Sequence, residues 1–143
     1  MTNAMTRVIV GYDVGGAHLK VAVAVSGRLT AVRQIACPLW RGLDQLDIAL
    51  AEAQALTAGL LAETIGGHGG AEHCVTMTGE LADVFPDRYT GVALLVERMA
   101  DRLGPATRFW MARPGDGGSI GVFGTASDAV ARYTQVASTN VLA

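Results

Sequence analysis

The sequence is short of the features that classify a protein at sight. It has two cysteines, Cys37 and Cys74, in 143 residues. They are far apart, and neither belongs to a C-x-x-C pair or stands near paired histidines, which argues against a structural zinc site. Reduced thiols in a cytoplasmic protein are the expectation. Charge of one sign is also missing: 11 basic and 13 acidic residues leave a net charge of −2, so neither nucleic acid nor an anionic membrane is an expected partner. No apolar run approaches the ~20 residues that cross a bilayer. The opening MTNAMTRVIVGYD lacks the long apolar region and cleavage site of a secretory signal. No internal repeat, charge run or linker divides the chain.

What is present is apolar. Hydrophobic residues make up 50% of the chain, enough to fill the core of one domain. Residues 7–12 and 19–25 are β-branched, apolar runs around a glycine-rich turn, which predicts a hairpin. SGR at 26–28 supplies the next turn, and residues 29–36 a third strand that Pro38 ends. From Asp44, a candidate N-cap with Asp47 in the capping-box position, Leu46, Ala49, Leu50, Ala53 and Leu61 recur at helical spacing. That helix closes near GGHGG at 66–70, and HCVTM at 73–77 reads as a strand. A second helix is predicted over 90–103, stopped by Gly104 and Pro105, then a strand at 107–111, a turn at RPGDGGS, a short strand at IGVFG and a last helix from Thr125. A three-strand antiparallel meander followed by alternating helices and parallel strands is an α/β mixed sheet of ribonuclease H-like topology.

Two clusters of chemistry-bearing residues fall on this frame. In YDVGGAHLK, Asp13 ends the first strand, Gly15 and Gly16 make the turn, and Lys20 begins the second strand. Such glycines let backbone N–H groups approach an anion, an aspartate holds hydrated magnesium, and a lysine neutralises phosphate. A solvated glycine hairpin explains the same residues. His18 reads either as a donor or acid toward a phosphate, since imidazole titrates near neutrality, or as part of the turn. His68 reads as loop and His73 as structural.

In TMTGELADVFPDR, Thr76, Thr78, Gly79 and Glu80 follow a strand expected to be parallel and central, and ligands of open α/β sheets gather beyond such strand ends. Thr78 and Gly79 suit a phosphate and Glu80 a metal or an amine. A helix N-cap by Thr78, with Glu80 on the helix dipole, is the alternative. Asp83, Asp87 and Arg88 read as a surface turn or a substrate-side lip. Trp40 and Arg41 suit an aromatic or anionic substrate, or simply pack their loop. Cys37 reads as a buried filler, and RPGDGGS as a hairpin turn or an anion nest.

YDVGGAHLK resembles the first phosphate motif of the actin-like ATPase, sugar kinase and Hsp70 superfamily, whose N-terminal lobe has this strand order. With CPLWRGLDQL, VTMTGELADVFPDRYTGV and VASTNVLA, the chain from about residue 8 onward resembles the tetrahydromethanopterin-linked one-carbon transfer proteins of the hydantoinase/oxoprolinase group. Archaeal members are described as the synthase joining an aminomethylfuran diphosphate to glutamyl-tyramine in methanofuran assembly.

The resemblance implies a transferase lobe binding a small phosphorylated molecule, ATP or a diphosphate. Asp13 would stand at the phosphate and Mg²⁺ centre, Gly15 and Gly16 would offer N–H groups, and Lys20 would face the phosphate. The motif departs from its kinase form in having Ala17 where a hydroxyl or amide usually stands, which disfavours ATP hydrolysis. The second lobe of such proteins, with its own D-x-G-x-T motif, has no counterpart after residue 125. The chain is therefore expected to be one lobe, inactive alone, that pairs with a second lobe or with itself. An ATP-dependent hydrolase or kinase-like lobe and a non-catalytic interaction module are the competing expectations.

Overall fold

A computed structural model describes residues 6–65, 70–113 and 121–138. Six strands form one sheet: β1 (Val8–Val14), β2 (His18–Val25), β3 (Arg28–Ala36), β4 (Glu72–Met77), β5 (Arg108–Ala112) and β6 (Gly121–Gly124). Their order is β3-β2-β1-β4-β5-β6. The β1–β2, β2–β3 and β5–β6 pairs are antiparallel, and β1–β4 and β4–β5 are parallel. The fold is α/β with a mixed sheet, and the expected three-strand meander and parallel centre are both present. Between β2 and β3 the turn is Ser26 (φ 50°) and Gly27 (φ 81°), the doubly left-handed pair that matches the twist of a two-residue hairpin.

Four helices accompany the sheet: α1 (Asp44–Ile65), α2 (Arg88–Leu103), α3 (Ala126–Ala131) and α4 (Tyr133–Ser138). The stripe of α1 places Leu46, Leu50, Ala53 and Leu61 in the core, and α1 packs on β2 and β3. Asp44 lies inside the first turn of α1 and not at its N-cap. Helix α2 starts at Arg88, two residues ahead of the expected position, because Asp87 caps it by accepting from the Thr90 N–H at 2.7 Å. The expected single last helix is two. Thr125 and Asp128 close a capping box on α3, and Arg132 breaks away (φ −112°, ψ 39°) before α4. GGHGG up to Gly69, residues 114–120 and the terminal STNVLA beyond Ser138 lie outside the described residues. No helix among the described residues is long and apolar enough to cross a membrane.

Strand alternation decides where the core sits. Val8, Val10, Tyr12 and Val14 of β1 are buried, as are Leu19, Val21 and Val23 of β2 and Val75 and Met77 of β4. Successive side chains point to opposite faces, so these share one face. They form one cluster with Leu46 and Leu50 of α1, Val92, Leu95 and Met99 of α2, and Val136 of α4. Each such side chain contributes roughly 1.5–3 kcal/mol by leaving water. The residues of opposite parity on β1, β2 and β4, from Ile9 and Gly11 to Ala22 and Cys74, do not enter that cluster.

Candidate functional site

The turn between β1 and β2 is tight and internally bonded. Gly15 N–H donates to the His18 carbonyl at 3.0 Å, just beyond the last ladder pair, Val14 with Leu19. The loop is therefore Gly16 and Ala17, and neither Gly15 nor Gly16 takes a left-handed φ. The Gly15 N–H, expected to present itself to an anion, is engaged by the hairpin. The loop's own carbonyls are also held: Leu39 N–H donates to Gly16 at 3.1 Å and Cys37 N–H to Ala17 at 2.8 Å.

These bonds bring three segments to the carboxyl ends of β1 and β4. Leu39–Arg41 forms a 3-10 turn against the hairpin, with Trp40 57% exposed and Arg41 also in solvent. From β4, Thr78 N–H donates to the Val14 carbonyl at 2.9 Å. Gly79 then passes so close that a Cβ there would stand 2.7 Å from Leu39 Cδ1 and 3.3 Å from the Gly15 carbonyl oxygen. A side chain at 79 would have to displace the end of the Leu39 side chain, with Leu95 Cδ1 also at 3.3 Å. Thr78 caps the Gly79–Leu81 3-10 turn only by its backbone, with no side-chain hydrogen bond.

On the sheet face that the helices leave uncovered, register puts Lys20, Asp13 and Thr76 side by side across β2, β1 and β4. Lys20 Nζ lies 3.9 Å from Asp13 Oδ2, and both side chains are substantially exposed. A pair this loose and wet holds neither partner firmly, so both can turn toward a ligand. Magnesium is usually held by one or two carboxylates, several waters and the oxygens of a phosphate. Asp13 fits that shared mode. Among the described residues no group of three or more His, Cys, Asp or Glu side chains stands together to hold a metal unaided. His18 is exposed at the start of β2, at the same rim.

Glu80 lies apart from this row. It is only 2% exposed, and among the described residues neither carboxylate oxygen meets a hydrogen-bond donor within bonding geometry, nor does the buried Nε of Arg88 meet an acceptor. Burial raises the Glu80 carboxyl above its ordinary range, and its own nearby backbone N–H and, less, the Arg88 charge partly oppose this. Helix α2 closes over it: a Cβ on Gly91 would be 2.9 Å from the Cα of Glu80. The residues expected to carry chemistry thus occupy two environments, with Asp13 and His18 at the open rim and Glu80 beneath α2. Asp87, read from sequence as part of a surface turn, is the cap of that helix.

Other readings have plain structural outcomes. Cys37 is fully buried and its thiol is pushed up to about 11 by that burial, consistent with a filler. The His73 ring meets the buried Tyr12 hydroxyl at 3.2 Å. A cleft of about 430 Å³ on the uncovered face has Asp13, Lys20 and Thr76 in its lining, and only its apolar remainder escaped the sequence reading. Gly11, Ala22 and Cys74 floor it, and Trp110 and Phe123 wall one side, their rings in edge contact with centroids 4.8 Å apart. Gly121 makes room for that wall, since a Cβ there would fall 2.0 Å from the Trp110 ring. The signal lay in RFWMA, where Trp110 takes the strand parity opposite to the buried Phe109 and Met111. No protein-family model and no curated protein matches the chain.

Proposed function

We propose that this chain is the phosphate- or diphosphate-binding lobe of a transferase, of ribonuclease H-like, actin-like ATPase N-terminal topology. Its proposed setting is tetrahydromethanopterin- or methanofuran-linked one-carbon metabolism. The observation that carries the reading is the meeting of the Gly15–His18 turn with the Thr78–Gly79 turn at the carboxyl ends of two adjacent parallel strands, beside the Lys20–Asp13–Thr76 row. Ligands of α/β sheets collect at such strand ends. Lys20 neutralises phosphate oxygens, and Thr78 offers a hydroxyl that its turn does not use. Asp13 is the residue that would hold Mg²⁺, which when bound offsets diphosphate charge.

Gly15 supplies shape to this site and not a free N–H. Trp40 and Arg41 stand next to the hairpin, where they can meet the organic part of the substrate. Group transfer needs donors on both sides of the developing charge, so the chain by itself binds weakly and does not turn over an aminomethylfuran diphosphate with glutamyl-tyramine.

The test is calorimetric titration with pyrophosphate, with and without Mg²⁺. Saturable, Mg²⁺-dependent binding that Asp13→Ala abolishes, while the melting temperature stays within a few degrees, is the expected result. Binding unchanged in Asp13→Ala, or no binding at any Mg²⁺ concentration, overturns the proposal. Stronger binding of ATP than of pyrophosphate moves the assignment to an ATP-dependent hydrolase or kinase-like lobe.

A further inference from the structure

The row of Lys20, Asp13 and Thr76 is one part of the open-face cleft, and the rest of that cleft is made of different material. Two residues back along each strand, the same face carries Ala22, Gly11 and Cys74 in place of the polar row. That step is about 7 Å. Val32 stands beside Ala22 on one side, and the Trp110–Phe123 pair closes the other. Among the described residues, no charged side chain lines the cleft beyond the row. The polar atoms that remain are engaged or weak. The Tyr12 hydroxyl meets His73, and the Cys74 thiol lies 3.8 Å from the Val10 carbonyl.

We infer that the ligand of this site is the phosphate or diphosphate ester of an apolar alcohol, its hydrocarbon group lying on Gly11 and Ala22 while its phosphate meets Lys20 and Asp13. The inference rests on the phosphate reading and adds the class of the esterified group. A substituent leaving a phosphate at the row runs down the strands onto Gly11, where no side chain stands in its path. A Cβ there would find only Cys74 Sγ, at 4.0 Å, so the space above Gly11 is open.

The lining also decides against other phosphorylated molecules. A sugar or nucleoside brings hydroxyls and ring nitrogens that would exchange water for walls offering few hydrogen bonds in return. A hydrocarbon group has no such cost, and each methylene it buries tightens binding roughly fourfold. The cleft's volume of about 430 Å³ is that of a small-molecule site, and pyrophosphate alone would leave its apolar part unfilled. Trp40 and Arg41 do not line it, so they meet a part of the substrate other than this group.

The experiment is calorimetric titration of the full chain, in Mg²⁺, with pyrophosphate, methyl diphosphate, isopentenyl diphosphate, benzyl diphosphate and ADP. The isopentenyl and benzyl esters should bind about tenfold or more tightly than the methyl ester, and the better of them tells a branched chain from a ring. ADP should bind no more tightly than pyrophosphate. Gly11→Val, which fills the floor, should remove the gain and leave pyrophosphate affinity within about twofold, as expected of sites that share no contact. Phe123→Ala, at an exposed wall, should reduce the gain and keep the far-ultraviolet circular dichroism of the parent. A second readout needs no variant: the favoured ester should slow alkylation of Cys74 several-fold, pyrophosphate should not, and the buried Cys37 should stay unmodified. Equal affinity for the methyl and larger esters, a gain that survives Gly11→Val, unprotected Cys74, or ADP binding more tightly than the esters overturns this inference while Asp13-dependent pyrophosphate binding stands. Absence of pyrophosphate binding overturns the phosphate reading and this one with it.

Discussion

The two faces of the sheet share the same six strands and obey different rules. On the covered face β1 presents Val8, Val10, Tyr12 and Val14, all at most 3% exposed, and large side chains from three helices interlock with them. On the open face the same strand presents Ile9, Gly11 and Asp13. Alternation along this strand thus encodes both a core and an open surface of different character. Stability should live on one face and recognition on the other.

The largest expected effect tests that division. Leu50→Ala, on the covered face, should cost about 2–5 kcal/mol in urea unfolding. Comparable losses from substitutions on the two faces would break the comparison.

Glu80 supplies the next test, because it is the charge buried on the covered side. Its carboxyl titrates higher in the folded chain than in the unfolded one. The stability it contributes is therefore whole below the ordinary glutamate range and is lost as pH rises through the folded value. Glu80→Gln should match the parent in acid and exceed it near neutrality, by on the order of 1 kcal/mol. Equal pH profiles would mean that Arg88 fully compensates the carboxylate. Smaller still is the ion pair of Arg98 with Asp47, which ties α2 to α1 and is partly exposed. Arg98→Ala should cost about 0.5 kcal/mol, less at high salt. Val32→Ala, on the open face, should be nearly neutral, within about 0.5 kcal/mol.

The fold was legible where periodicity was strong. The meander, α1, β4, α2 and the β5–β6 pair all follow from apolar spacing and from turn residues such as Ser26 and Gly27. The break between α3 and α4 was not legible, because Ala129, Tyr133 and Val136 continue one helical stripe across Arg132. Asp87 was misread because an aspartate before a helix and one in a turn look alike until Thr90 is seen to donate to it.

The rim residues were legible in part. Register alone places Asp13 opposite Lys20 once the hairpin is granted, and Thr76 beside them once β4 is parallel. What sequence hides is engagement: that Gly15 N–H is already bonded, and that Glu80 sits beneath α2 because Gly91 lets the helix approach. Those depend on contacts between segments far apart in the chain.

Strand β1 has one neighbour that follows it immediately and another, β4, that arrives much later; Tyr12 and His73, which touch across that seam, are 61 residues apart. During synthesis the three-strand meander can form within microseconds of its turns, while the far edge of β1 waits for α1 and β4 to emerge. For that interval the strand destined for the middle of the sheet is an unpaired edge, the kind that recruits neighbouring chains. Yield at high expression should therefore depend on how quickly β4 follows β1 from the ribosome.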